Sequence, residues 1–325
     1  LNKPVHHTDP YDALLDGAER VYDDFAERAE LDVGQPSLMS SEMGPRNLRR
    51  AGVGTEFFDL RPYRPDTDQE GDIHERYSDR LGYDVVVQHE KEIRHHAYLW
   101  CNATADMRFT SDARTLTKLD AARQAAVALS RYLAMKEGMM VGLLGDRHVF
   151  SGPRAHTHVA TRLLGDVVPP EAMPSDVGRV QPRSTAILFG DFIGAIENDD
   201  EFRRKMNDDL DYLAGLHLTG YLVMVHDAAE LDFPYEGGTK FSHPEGGLSL
   251  AFDEARDLKT EYLHKIKERM TWLEATAETY GFKVILQRTD RPLHEGMMAM
   301  YGLLPDHQAA VSAAPAAKPR KWGLK

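Results

Sequence analysis

The chain has 325 residues, 42% apolar and 28% charged, the composition of an ordinary globular protein rather than a disordered or fibrous one. Thirty-nine Lys and Arg against 52 Asp and Glu leave a net charge of −13, which repels phosphate at long range and argues against general binding of nucleic acid or anionic membrane. A single cysteine, Cys101, excludes an internal disulfide framework and a four-cysteine zinc site, and fits a reducing compartment.

The first residues, Leu1 to His7, lack the apolar core of a secretory leader, and no apolar run approaches the ~20 residues of a membrane helix. A cytoplasmic location without membrane insertion is the expectation. Residues 9–30 read as a helix. Asp9 can accept from the first free N–H groups, Pro10 suits the first turn, and Leu14, Leu15, Ala18, Val21, Tyr22, Phe25 and Ala29 form one apolar stripe. Residues 31–54, rich in Gly, Pro, Ser and Arg, read as a linker. Thr55 to Leu60 and Asp84 to Ile93 read as strands, followed by the apolar, aromatic run His95 to Cys101.

Thr117 to Lys136 reads as a second helix, with Ala122, Ala125, Ala126, Leu129 and Leu133 on one face. Met139 to Leu144 has the uniform apolarity of a strand buried on both faces. The alternation continues with helical residues after Ala155, a strand at 185–189, a helix at 200–216 and a strand at 221–225. Next come a β-hairpin excursion within 228–252, a helix at 253–280, a strand at 283–287 and a helix at 293–301. Such alternation implies an α/β fold with a doubly wound, mostly parallel sheet covered on both sides. The expected organisation is an N-terminal helix and basic linker (1–50), one α/β domain (51–305) and an Ala/Pro-rich basic tail (306–325).

In an open parallel sheet, ligands sit beyond the carboxyl ends of the strands, where the strand order reverses. Two strand ends present oxygen groups: Asn102, Thr104 and Asp106 after the first, Asp191 after Ile187 to Gly190. In an extended chain the three alternate residues point the same way, and if the strands are neighbours Asp191 completes an oxygen-rich cup. Mg²⁺ or Mn²⁺ favours such donors. The alternative is that Asn102, Asp106 and Asp191 cap turns at strand ends.

The run Gly52 to Pro65, with Thr55-Glu56-Phe57-Phe58-Asp59 at its centre, resembles the signature of the MoxR-associated proteins, whose domain was catalogued as the fifty-eighth family of domains of unknown function. Asn102-Ala103-Thr104-Ala105-Asp106-Met107 corresponds to that family's Asp-x-Ser-x-Ser-Met run. Val225 to Leu231 resembles its Asp-Pro-x-Glu segment, and Thr289-Asp290-Arg291-Pro292-Leu293 its Thr-Asp-x-Pro-Leu segment. The resemblance covers roughly residues 10–303. It implies a von Willebrand factor A-like fold and a partner, a MoxR-type AAA+ ATPase, with the chain acting as a non-enzymatic adaptor for an unknown client protein in chaperone-like assembly or metal insertion. It also implies a metal-ion-dependent adhesion site, degenerate here. The family's first Asp is Asn102, its first Ser is Thr104 and its second is Asp106; the loop threonine has no clear counterpart, Thr157 being the nearest choice. Two other functions use the same strand ends: a metal-dependent hydrolase, for which no general base is evident beyond Asp106, and an ion-free scaffold.

Other motifs are weaker. His156-Thr157-His158 would put two imidazoles on one side of an extended segment, but no third ligand follows at a diagnostic spacing. Ser249, within Gly247 to Ala251, reads as a solvent-facing strand residue and not a nucleophile. Arg46, Arg49 and Arg50 form a basic knot, and Arg61, Arg64 and Arg108 offer charge to an acidic partner surface. Cys101, at the end of a buried strand, reads as an inert thiol. No Gly-rich Lys-Ser/Thr loop is present, so ATP hydrolysis by this chain is not expected.

Overall fold

Residues 9–33, 51–66, 73–90, 95–165, 171, 173–192, 199–242 and 249–302 are described by a computed structural model. Helix α1 (Pro10–Val33) begins where Asp9 Oδ1 accepts from the Tyr11 N–H at 2.9 Å. Its predicted stripe is the face it buries, through Leu14, Ala18, Tyr22, Phe25 and Ala29. The basic knot at 46–50, His6, His7 and the tail from 306 lie outside the described residues.

The described residues fall into two compact units, one formed by residues between 51 and His95, the other by α1 together with His96 onward. In the smaller, β1 (Ala51–Pro62) pairs antiparallel with β2 (Val85–Glu90), and α2 (Glu75–Leu81) lies between them in sequence. β1 is longer than the six residues its composition predicts, because pairing with β2 carries Gly52, Arg61 and Pro62 into the ladder. The signature run lies in this hairpin. Gly82 closes α2 at φ 75°, a left-handed conformation that glycine adopts without strain.

The larger unit is built on six strands: β3 (His96–Cys101), β4 (Met140–Leu143), β5 (Val149–Phe150), β6 (Thr185–Gly190), β7 (Thr219–His226) and β10 (Phe282–Arg288). Their spatial order is β10-β7-β6-β3-β4-β5, parallel except for the short edge strand β5. Counted within the sheet from the β5 edge, this is 3-2-1-4-5-6, the order of a Rossmann-like doubly wound sheet, and the reversal falls between β3 and β6. The helices between these strands are α3 (Lys118–Met135), α4 (Ala155–Leu164), α5 (Asp199–Gly215), the short α6 (Ala228–Asp232), α7 (Lys259–Thr279) and, after β10, α8 (His294–Met300). The hairpin excursion is β8 (Thr239–Ser242) against β9 (Ser249–Phe252).

Strand alternation assigns the two faces. Tyr98, Trp100, Ala186, Leu188, Leu222 and Met224 pack with Met206, Leu210 and Leu213 of α5 and with Ile266, Met270 and Leu273 of α7. The opposite face meets α3, whose alanines permit close approach, and α1 packs outside α3. Phe25, Tyr132 and Tyr301 join α1, α3 and the end of α8, with ring centroids 4.8–5.5 Å apart. No helix among the described residues is long and apolar enough to cross a membrane.

Candidate functional site

The reversal between β3 and β6 puts Asn102 and Asp191 at the tips of adjacent strands. Cys101 pairs with Phe189, and the Asn102 N–H donates to the Phe189 carbonyl at 2.8 Å. Gly190 permits the close approach: a Cβ there would lie 3.3 Å from Cβ of Asn102 and 3.1 Å from the Phe192 ring. Phe192, next to Asp191 and buried, holds φ at 48°, a left-handed conformation that side chains rarely adopt.

Beyond Asn102 the chain does not stay extended, and the expected row of three oxygens is not formed. Asn102 Oδ1 turns back to accept from the Thr104 N–H at 2.8 Å, and residues 105–108 wind into a 3-10 turn. Short polar residues at a strand end satisfy nearby backbone groups, as the turn-capping alternative anticipates. Asn102 is buried, whereas Asp106, Arg108 and Phe109 of the turn are exposed. The Phe109 carbonyl accepts from the Lys118 N–H at 3.2 Å, which fastens this turn to the start of α3.

Lys118 is the residue that sequence reasoning missed. At the first position of α3 a lysine reads as solvated, yet only 2% of its side chain is exposed. Its Nζ lies 2.6 Å from Glu230 Oε1 and 3.4 Å from Asp191 Oδ2. Burial works against the charged ammonium, but the two carboxylates outweigh it and raise the lysine above its ordinary range. Burial likewise opposes ionisation of Glu230, while His226 and Lys118 beside it carry its carboxyl down to about 2. Thr117 caps α3, its Oγ1 accepting from the Asp120 N–H at 3.1 Å.

Glu230 is fixed from below by a reciprocal cap at the end of β7. Asp227 Oδ1 accepts from the Ala229 N–H at 2.8 Å, and the Asp227 N–H donates to Glu230 Oε2 at 2.9 Å. The Ser111 N–H and hydroxyl both donate to Asp227, at 3.0 and 2.5 Å, and the Thr289 hydroxyl reaches it at 3.5 Å. The ends of β7 and β10 and the loop before α3 therefore converge on one carboxylate. His226 is fully buried, with Nδ1 3.4 Å from Glu230 Oε2, and neither ring nitrogen has a hydrogen-bond partner among the described residues. The signal available in the sequence was Asp227-Ala228-Ala229-Glu230, a capping-box spacing that predicts a helix start and the short α6.

Asn102 Oδ1 is committed to a backbone N–H, Asp106 is exposed on the turn, and Asp191 faces an ammonium. Among the described residues, no three His, Cys, Asp or Glu side chains are grouped to hold a metal ion. This donor set does not fit Mg²⁺ or Mn²⁺. Thr157 is on α4, where its hydroxyl donates to the Arg154 carbonyl and its own carbonyl accepts from Tyr11 of α1. His156 and His158 share that helix rather than an extended strand, about 200° apart around its axis. Arg61 and Arg64 belong to the hairpin unit and Arg108 to the sheet unit. Ser249 is exposed on β9, its hydroxyl 3.4 Å from that of Ser242. Burial pushes the Cys101 thiol up to about 12, against the pull of Arg123, so it is not a thiolate near neutrality.

A family model described as Protein of unknown function DUF58 matches residues 59–271, a span that takes in part of the signature hairpin and the strand ends of β3, β6 and β7. No curated protein matches the chain.

Proposed function

The chain belongs to the DUF58 family of proteins of unknown function, and on that premise we propose that it is a non-enzymatic interaction module with a von Willebrand factor A-like fold. Its partner is a MoxR-type AAA+ ATPase, and its role is to present a surface at the carboxyl ends of the sheet. The sheet order 3-2-1-4-5-6 with an antiparallel edge strand supports the fold assignment.

One observation carries the docking role. The turn after β3 exposes Asp106, Arg108 and the large apolar Phe109 at the point where the strand order reverses, and it is tied to a buried ionic centre beneath it. A preorganised aromatic and arginine flanked by charge is the make-up of interface hot spots. The left-handed Phe192 beside Asp191 adds a strained position at the same strand ends. A metal-dependent hydrolase would need a metal-bound water with a base in reach, and among the described residues no three His, Cys, Asp or Glu side chains are grouped to hold the ion. The chain is therefore read as an ion-free scaffold for recognition, in the cytoplasm.

Affinity capture from the native cytosol, with and without nucleotide, tests this function. An AAA+ ATPase of the MoxR type is the expected main partner. Repeated capture without any AAA+ ATPase, nucleotide included, would contradict it.

A further inference from the structure

We propose that the seam between α1, α3 and α4 is a binding site for a short-chain monocarboxylate, held by Arg131 Nε and His156 Nδ1. The cavity is lined by none of the strand-end residues described above, and the proposal does not depend on the identity of any partner.

Where the three helices meet they leave a cavity of about 90 Å³, several times the ~15 Å³ that one water needs. Leu15 and Ala18 of α1 and Val127 and Ala128 of α3 give it an apolar wall. Glu19, Arg131 and His156 make its polar side. Arg131 is held from two directions. Its guanidinium lies over the Tyr22 ring, 4.3 Å from the centroid, and its Nη1 donates to Glu19 Oε1 at 3.1 Å. These contacts fix the fork but leave its Nε unused. That nitrogen is buried without a hydrogen-bond partner among the described residues, and so is His156 Nδ1. A buried group left unpaired is costly, more so on a charged side chain. Two such nitrogens on one cavity call for an occupant that carries acceptors.

The surroundings narrow the class of that occupant. The Nε edge of a guanidinium is one of those that pair with a planar carboxylate. Burial and the charge of Arg131 lower the His156 pKa, against the Pro153 carbonyl and Glu19, which raise it. The imidazole is therefore neutral near pH 7 and has one proton, which its Nδ1–H tautomer donates to the second carboxylate oxygen. His156 is also the second residue of the ten-residue α4, at the positive end of its backbone dipoles. Glu19 sets an upper limit on charge: one negative charge is offset by Arg131, whereas a dianion would meet the Glu19 carboxylate as well. The apolar wall takes the alkyl end, which a phosphate does not have.

Thermal melts and alanine-methyl NMR of the full chain, titrated with sodium propionate at constant ionic strength, test this. The wild type should show a saturable rise in melting temperature of about 3 °C at tenfold excess over Kd. The Ala18 and Ala128 methyl signals should shift along the same one-to-one curve. Sodium phosphate at the same ionic strength should produce neither effect. Arg131→Met, which keeps the stem and removes the fork, should lose both. His156→Asn, which keeps a donor near the Nδ1 position, should bind propionate about tenfold more tightly than His156→Leu. A wild type without a saturable response to propionate would overturn the proposal, whether or not the variants fold, and would leave water as the occupant. An equal response to phosphate would overturn it too, as would propionate binding that survives in a folded Arg131→Met protein. Failure to capture an ATPase would leave these titrations unaffected, so the two claims fail separately.

Discussion

Lys118 Nζ stands 2.6 Å from Glu230 Oε1, joining residues 112 positions apart in the chain. Lys118 opens the helix that follows β3 and Glu230 lies in the first turn after β7, so the pair fastens two loops over the carboxyl ends of the sheet. Its value lies less in the attraction itself than in what its loss would leave behind. A buried ion pair nearly balances its desolvation, whereas one partner without the other is an uncompensated charge.

Lys118→Met is therefore expected to lower stability by about 3–5 kcal/mol. Urea unfolding should show a lower midpoint at an unchanged slope. A loss below about 1 kcal/mol, the level of an exposed pair, would mean that water already screens this one.

The acid limb of stability should follow Glu230. Its folded pKa, about 2, lies below the ordinary 4.5, so its contribution is full above pH 4.5 and is lost as pH falls towards 2. The groups around it are Lys118, His226 and the half-buried Tyr235 and Tyr262, whose phenols are raised by burial and by this carboxylate. Lys118 has the opposite sign: raised, it stabilises below its unfolded value and loses that contribution only in strong base. The wild type should exceed Glu230→Gln by roughly 3 kcal/mol at neutral pH. That difference should shrink steadily below pH 4.5 in denaturant titrations; one that is constant down to pH 2 would show that Glu230 is not held ionised.

Asp227→Ala removes the cap of α6 and leaves the Ser111 hydroxyl and N–H without their acceptor. The expected cost is about 2 kcal/mol, combining a lost cap with orphaned donors. Hydrogen exchange should speed up both in 109–117 and in 228–233, segments distant in sequence. Faster exchange confined to 228–233 would break the proposed link between them.

Gly220→Ala tests the register of the sheet. Gly220 holds φ at 148°, and a Cβ there would sit 2.0 Å from the Ala186 carbonyl oxygen of the neighbouring strand. Neither the strand nor its backbone can yield that distance cheaply, so a loss above about 4 kcal/mol or failure to fold is expected. A stable Gly220→Ala protein would exclude the β6–β7 register.

Much of this was legible in the sequence because it depends on local periodicity. The apolar stripe of α1, the alanine face of α3 and the uniformly apolar β3, β4 and β6 all read directly, and they place Asn102 and Asp191 at the same end of the sheet. Their adjacency needed only the usual order of a doubly wound sheet. The ionic centre was not legible, because burial of Lys118 depends on the first turn of α3 meeting the loop after β7, and no window of sequence contains both. The turn at 105–108 was missed for a related reason. Alternating Asn102, Thr104 and Asp106 looks like a strand, but the side-chain Oδ1 of Asn102 accepts from the Thr104 N–H and turns the chain. Asp227 and Glu230 did carry a local signal, the capping-box spacing, which the family resemblance overshadowed.

The most direct test of the central claim, docking through the strand-end turn, is to quantify the AAA+ ATPase recovered from cytosol with Mg²⁺ and nucleotide by the wild type and by the double variant Arg108→Glu, Phe109→Ala. Arg108 is exposed and Phe109 is 36% exposed, so the variant should stay folded, with a melting temperature lowered by a few degrees at most, about 5 °C. Recovery by the wild type, and its loss in the variant, is the predicted result. Equal recovery by both proteins would contradict the account.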